Sequence, residues 1–128
     1  YQQTFSAPYL GVNIQSAGDV GVPLLLTLGL RYSPLARGED VDIHHLRSLR
    51  FETEGRNGTW YGADIKLDFG IDERTSVKLG YFNQRYSEIL GGMMVTDLIT
   101  GARSYYGGNA AGLDHSSSMF SLGINHEF

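Results

Sequence analysis

The tripeptide Asp42-Ile43-His44 places a carboxylate and an imidazole two residues apart, where an alternating segment gives way to polar residues. In an extended chain, residues i and i+2 share a face with their Cα atoms about 6.5–7 Å apart, so Asp42 can orient and polarise the His44 ring. This spacing predicts a positioned general base. The alternative interpretation is that Glu39, Asp40 and Asp42 with the two histidines form only a solvated loop tip.

A metal site is a weaker interpretation of the same residues. Asp42 and His44 would need a third ligand at a suitable spacing, and the sequence supplies none, so no metal is predicted. His45 should point away from His44, because adjacent residues on a strand face opposite sides. For the same reason the pair Asp114-His115 is interpreted as a solvated or rim feature.

The composition excludes several classes of protein. The chain has 128 residues, a net charge of −4 and no cysteine, so it forms one domain or part of one and holds no disulfide or thiolate metal site. No basic stripe is present to bind nucleic acid. The longest apolar run, Val22–Leu26, is far shorter than the about 20 residues of a transmembrane helix. The start at Tyr1, without Met or a signal peptide, suggests processing or truncation upstream.

The dominant hydrophobic period along the chain is two, which predicts β-strands. Between Trp60 and Ile71 one set of alternate side chains is apolar or aromatic, and apart from Trp60 the other set is small or charged. Each of five such segments is long enough to cross a tilted membrane barrel wall, which takes about 9–11 residues. The predicted strands are Tyr1–Gln15, Pro23–Ala36, Trp60–Ile71, Thr75–Tyr86 and Ser118–Phe128.

The connections between these strands alternate in length. Gln15–Val22 and Ile71–Thr75 are predicted as short or polar turns, and Arg37–Leu46 and Ile89–Asp114 as long loops. Short turns at one end and long loops at the other are typical of bacterial outer-membrane barrels. The predicted fold class is therefore all-β, an antiparallel up-and-down transmembrane β-barrel, with a soluble five-stranded barrel as the alternative.

The glycine-rich segment Gly91–Gly112 carries no phosphate-binding loop pattern. Gly107-Gly108 is accordingly predicted to shape a turn, and no nucleotide site is expected. The final residue, Phe128, is an aromatic side chain at the end of an alternating strand and looks like the assembly signal of outer-membrane barrels.

Seven motifs together resemble the omptin family of outer-membrane proteases, in the same order and at similar separations. They are Tyr1–Phe5, Pro8–Gly11, Arg31–Ser33, Asp40–His44, Trp60-Tyr61, Asn109–Gly112 and Gly123–Phe128. The Asp-x-Asp-x-His element is the specific one. The resemblance extends over essentially the whole chain. It implies that residues 1–128 are the C-terminal half of an outer-membrane barrel domain, about five strands of a ten-stranded barrel, and a fragment of a longer protein.

The resemblance also implies an aspartic-type endopeptidase that cleaves near basic residues. Asp42 and His44 fall on the catalytic dyad of the family, in which His44 takes a proton from water and Asp42 fixes its tautomer. Asp40 falls on the acidic position that binds a basic substrate side chain. The family has a second pair of aspartates in its N-terminal strands. Nothing in these 128 residues replaces that pair, so the activity of the chain by itself stays open.

Family members require lipopolysaccharide as an activator, and no other cofactor is expected. Thr4 stands where the family has a lipid-binding arginine, and Arg56 is a weak candidate for another basic position. The expected location is the bacterial outer membrane with the active site facing the exterior. The expected partners are peptides or proteins with basic residues, outer-membrane lipid, and the missing N-terminal half or a second copy. The alternative function is a non-catalytic outer-membrane barrel acting in adhesion or structure.

Overall fold

The computed structural model describes residues 1–19 and 23–128. These residues form six strands and one short 3-10 helix, and no described helix is long and apolar enough to cross a membrane. In chain order the elements are β1 (Gln2–Ser6), β2 (Leu10–Asp19), β3 (Pro23–His44), the 3-10 helix (His45–Arg47), β4 (Leu49–Gly70), β5 (Thr75–Asp97) and β6 (Arg103–His126). The strands form one sheet in the order β1-β3-β4-β5-β6, with β2 also paired to β3. The all-β prediction is confirmed.

The first predicted strand is divided into β1 and β2, both antiparallel to β3. Between the two paired stretches, residues 7–9 face residues 33–36, so three residues oppose four and β3 carries a bulge. Pro8 lies in the gap and has no backbone N–H to donate to a neighbouring strand. Within the bulge, the Leu35 N–H donates to Ser33 Oγ at 3.1 Å.

The two long loops predicted from the sequence are wrong. Most of Arg37–Leu46 belongs to β3, which runs to His44, and most of Ile89–Asp114 belongs to β5 and β6. The strands of the sheet are therefore 22 to 24 residues long from β3 onward. The physical reason is that charged and glycine-rich segments still pair as strands when a neighbouring strand accepts their backbone hydrogen bonds.

The turn predictions have mixed outcomes. Ile71–Thr75 is a turn, closed by the Ile71 N–H donating to the Thr75 carbonyl at 2.8 Å. Gly107-Gly108 is not a turn but lies within β6, where Gly108 has a φ of 68°. In the predicted turn Gln15–Val22, β2 continues to Asp19, and residues 20–22 lie outside the described residues.

Contacts divide the chain into two compact units. Unit 1 comprises Tyr1–Tyr9, Ser33–Trp60 and Tyr86–His115, and unit 2 comprises Leu10–Tyr32, Tyr61–Arg85 and Ser116–Phe128. In unit 1 the side chain of Ile89 is fully buried against two glycines of β4. A Cβ added to Gly55 would lie 2.6 Å from Ile89 Cγ2, so only glycine leaves room for this packing.

In unit 2 the apolar face of β4 is exposed and its polar face carries a buried carboxylate, which is the reverse of a soluble sheet. Tyr61, Ile65 and Phe69 lie on one face and are each between 43 and 46% exposed. Asp64, on the other face, is only 5% exposed and forms an ion pair with Arg31. Exposed apolar side chains opposite a polar face are expected when lipid is the outer solvent. The alternative of a soluble barrel, with those apolar side chains inside, is wrong.

Candidate active site

The candidate site lies at one end of the β3–β4 hairpin. β3 ends at His44, the 3-10 helix reverses the chain, and Ser48 adopts a left-handed conformation with φ 51° before β4 begins. The Ser48 N–H donates to the His45 carbonyl at 3.2 Å, and the Ser48 carbonyl accepts the Leu98 N–H at 2.7 Å. The second bond joins the turn at Ser48 to the turn that follows β5. The two turns are therefore in contact at the ends of the strands that precede them.

Asp42 and His44 are brought together as the spacing predicted. The His44 Nε2 and the Asp42 Oδ2 are 2.8 Å apart, with side-chain exposures of 42 and 35%. A carboxylate only accepts hydrogen bonds, so Nε2 carries the proton and Nδ1 of the neutral ring keeps its lone pair. An open cavity of about 600 Å³ is lined by residues 42–47 beside this pair. The arrangement can accept a proton from a group placed in that cavity.

Asp40 is the next residue on the face that carries Asp42 and His44, here called the site face. Its Oδ1 is buried and has no hydrogen-bond partner among the described residues. A buried carboxylate oxygen without a donor is costly, and a cationic group from outside would satisfy it. Gln3 is the cross-strand partner of Asp40, so its side chain lies on the site face as well.

Tyr1 also lies beside the acidic residues. Desolvation and then the negative charges of Asp40 and Asp42 raise the pKa of its phenol above the usual value. The charges act because a nearby anion disfavours a second anion. A phenol is protonated at neutral pH even at its usual pKa, and the raised pKa keeps it a hydrogen-bond donor at more alkaline pH as well.

Arg56 is not near the Asp42–His44 pair. Its Nε donates to Glu54 Oε1 at 2.9 Å, and its Nη2 forms a second bond to the same oxygen. Arg56 and Glu54 line a cavity of about 240 Å³ together with Thr4 and Glu39. Thr4 and Glu39 are cross-strand partners that face away from the site face, so Arg56 belongs to the opposite face of the sheet.

The other histidine and acidic residues have separate environments. Asp114 is exposed and accepts the N–H of Glu88 at 3.1 Å, which supports the positive φ of 58° at Glu88. His115, predicted as part of a solvated or rim feature, is half-buried, and its ring stacks on Phe5 with centroids 5.3 Å apart. His45 begins the 3-10 helix and is exposed. Residues 1–19 and 23–128 contain no group of three or more potential ligands arranged to hold a metal ion.

One residue of the site was not identified from the sequence. Phe51 lies on β4, and its ring centroid is 4.9 Å from that of His44 in an edge-to-face arrangement, with the planes at 61°. The contact depends on how β3 and β4 align across the turn. The only sequence signal is an aromatic residue in the strand that follows the histidine, which is too common to single it out.

A sheet whose apolar face is exposed, with an Asp–His pair at a hairpin end, defines a membrane β-barrel wall that carries a candidate hydrolytic site. The omptin family model matches residues 1–128, and the chain belongs to the omptin family. Its fold is that of a transmembrane β-barrel and its location is the bacterial outer membrane.

Two known proteins are similar to this chain, one in sequence and one in fold. The chain is 27% identical over 129 residues to the plasminogen activator of Yersinia pestis, covering 100% of this chain and 40% of that protein. The structure matches the crystal structure of the outer membrane protease OmpT from Escherichia coli with a TM-score of 0.85 and 17% identity, covering 98% of this chain and 42% of OmpT. The chain thus spans about two fifths of the length of both proteins.

Proposed function

We propose that residues 1–128 supply one wall of an endopeptidase active site that hydrolyses peptide bonds next to basic residues, facing the cell exterior. The observation that carries the proposal is the 2.8 Å hydrogen bond between His44 Nε2 and Asp42 Oδ2. Membership of a family of outer-membrane proteases supports the reaction class.

In the proposed reaction a water molecule attacks the scissile carbonyl carbon while His44 Nδ1 takes one of its protons. Asp42 keeps the ring in the required tautomer and stabilises the imidazolium that forms. The new C–O bond forms, the C–N bond breaks, and the proton on His44 passes to the leaving amine. The products are a carboxylic acid and an amine, and the acid then passes its proton to the amine to give a carboxylate and an ammonium group. The further acidic pair that the family uses has to come from strands outside this segment.

The dyad is tested by kinetics on the full-length chain, purified in detergent and supplied with a fluorogenic peptide containing Arg-Arg. Asp42→Asn and His44→Ala should each lower kcat by a factor of about 10² to 10⁴, because proton transfer to a positioned base is lost. His126→Ala is the matched control and should leave kcat within about twofold, because His126 is an exposed histidine of unit 2 that does not line the cavity beside the dyad. Near-normal cleavage by the first two variants would end the proposal.

We propose that lipopolysaccharide binds the face of the sheet that carries Arg56. We further propose that activation by the lipid does not require the Arg56 side chain. The hydroxyls of Thr4 and Ser6 and the Arg37 guanidinium line the same cavity and can donate to lipid phosphate. Arg56 is already neutralised by Glu54, so a phosphate would compete with an existing ion pair. Arg56→Ala should therefore change the lipopolysaccharide concentration for half-maximal activity by less than about threefold, as expected for an exposed ion pair. Loss of the lipid response in this variant would contradict the proposal.

A second candidate function, adhesion, is favoured by the exposed apolar side chains at the turns. Leu46 is fully exposed and Ile99 is 81% exposed, and the turns that carry them are joined through Leu98 and Ser48. For this function we propose that Leu46 and Ile99 belong to one contiguous apolar surface, because contiguous exposed apolar surface marks interaction sites. A full-length His44→Ala variant that has lost peptidase activity but still promotes cell adhesion would support this function, and loss of adhesion in Leu46→Ser would connect it to the turns.

A further inference from the structure

The position of His44 is determined by more than its bond to Asp42. The bond joins one ring nitrogen to an exposed carboxylate, at 2.8 Å. Water competes for an exposed hydrogen bond, and rotation of the imidazole about Cβ–Cγ by half a turn would replace Nε2 with a carbon. A ring held only by this bond would spend part of its time in states that cannot accept a proton from substrate water.

Phe51 supplies the second contact. Its ring lies edge-to-face with the His44 ring at a centroid distance of 4.9 Å, and it is half-buried on β4. Edge-to-face packing is a preferred geometry for aromatic pairs, and it restricts rotation of both rings. The turn between His44 and Leu49, closed by the Ser48 N–H, fixes the distance between the strands that carry the two rings.

From this geometry we infer that Phe51 is a positioning residue for His44. It holds Nε2 on Asp42 and leaves Nδ1 directed at the substrate side, so it acts through His44 and touches no reacting atom. The inference rests on the proposed peptidase function for its kinetic consequence, but its structural consequence for the ring can be measured without substrate.

The kinetic test uses the full-length chain in detergent with an Arg-Arg fluorogenic peptide. Phe51→Ala should lower kcat by about 10- to 100-fold, the effect of a misplaced catalytic group, and change KM by less than about twofold. Phe51→Tyr keeps the ring and should retain kcat within about threefold of the original. Phe69→Ala is the matched control, because Phe69 lies on the same strand but is 43% exposed, and it should leave kcat unchanged. If Phe51→Ala does not fold, Phe51→Leu keeps most of the volume without the ring and should lower kcat in the same direction.

The second readout is the ring state of His44, measured by long-range ¹H–¹⁵N NMR on histidine-labelled protein, with His44→Ala to assign the signal. The original chain should show one tautomer with Nε2 protonated, and Phe51→Ala should show a mixture. A fall in kcat without a change in the His44 signal would overturn the inference, as would normal kcat in both Phe51→Ala and Phe51→Leu. If the full-length chain without substitutions cleaves no peptide, the peptidase proposal fails independently of the positioning role of Phe51. A mixed ring state in Phe51→Ala would then still support the positioning role, and an unchanged state would overturn it.

Discussion

Glu39 and Asp40 are adjacent acidic residues whose side chains lie on opposite faces of β3. Asp40 is on the site face with a buried, unpartnered oxygen, whereas Glu39 pairs across the strands with Thr4 on the other face. Asp40→Asn should raise KM for an Arg-Arg peptide by about 10-fold or more, because a charge-assisted hydrogen bond is lost, and should affect a peptide with neutral residues less. Glu39→Gln, which removes the same charge from the opposite face, should leave the ratio of the two KM values unchanged. Equal effects of both variants would show that only the overall charge matters.

Gly91 packs so closely against the neighbouring strand β4 that no side chain fits at this position. A Cβ at this position would overlap the Glu54 carbonyl oxygen and approach the Gly55 Cα at 2.7 Å. Gly91→Ala should lower the free energy of unfolding by about 1–3 kcal/mol, because backbone atoms have to move apart. Gly123→Ala is the control, since its nearest neighbour, Lys78 Cβ, would be 3.9 Å away. Guanidinium unfolding of the full-length chain in detergent measures the free energy of unfolding of both variants. Equal stability of the two variants would contradict the requirement for glycine at position 91.

The sequence was sufficient for the part of the site that is local in the chain. The contact between Asp42 and His44 needs only an extended backbone, because residues i and i+2 share a face wherever a strand forms. Phe51 could not be assigned, because its contact with His44 depends on the length of the turn and the alignment of β3 with β4. The environment of Arg56 could not be predicted either, because its bond to Glu54, on the face opposite the site, is not part of any sequence motif.

The predicted elements are strands, as observed, but the observed strands from β3 onward are longer than the predicted ones. Alternation identified the apolar parts of the strands, where one face contacts a different environment from the other. It failed between Arg37 and His44, where charged residues and a glycine were taken as a loop although Val41 and Ile43 alternate with polar residues. It also failed between Ile89 and Asp97, where apolar residues follow one another directly and two adjacent glycines interrupt the pattern. In those stretches the strands are maintained by pairing with their neighbours, and glycines such as Gly91 are required by close packing and do not mark loops.

The turn between β5 and β6 is stabilised by a carboxylate that accepts backbone hydrogen bonds. Asp97 Oδ1 accepts the N–H of Ile99 at 2.8 Å and of Thr100 at 2.9 Å, and these bonds, Thr100 first, lower the pKa of Asp97 below its usual value. A lowered folded-state pKa means that the stabilisation is fully present above the unfolded value of about 3.9 and is lost as the pH falls through the folded value.

Asp97→Asn should therefore reduce the acid dependence of stability without removing the turn, because the amide oxygen can still accept both N–H bonds. The free energy of unfolding, measured between pH 5 and pH 2, should fall less steeply in this variant than in the original chain. Glu73→Gln is the control, because it removes a carboxylate from the exposed turn between β4 and β5. An unchanged pH slope in Asp97→Asn would show that these bonds do not contribute.

At the scale of the whole molecule, the sheet is suited to lipid on one side. In unit 2 the exposed apolar side chains of β4 lie opposite the buried Asp64 and its partner Arg31. Removing one member of such a pair leaves an uncompensated charge in a low-dielectric environment. Asp64→Ala should lower the free energy of unfolding by about 3–5 kcal/mol, whereas Asp64→Asn should lower it less, because the amide oxygen still accepts from Arg31. Equal losses in both variants would contradict the assignment of the charge pair.

The sheet also determines what the segment can do alone. Among the described strands, β1, β2 and β6 each pair with one neighbour, so their other edges present unpaired backbone groups. Each such group costs several kcal/mol in hydrocarbon, about 2–7 kcal/mol by transfer measurements, and only a closed barrel satisfies all of them. Residues 1–128 expressed alone should therefore not give the heat-modifiable gel band of a folded barrel in lipid. We expect co-refolding with a separate segment that supplies the other strands of a closed barrel to restore that band at a one-to-one ratio. If two copies close one barrel instead, the segment alone would give a folded dimer that cross-links through β6, and the requirement for a separate half would be wrong.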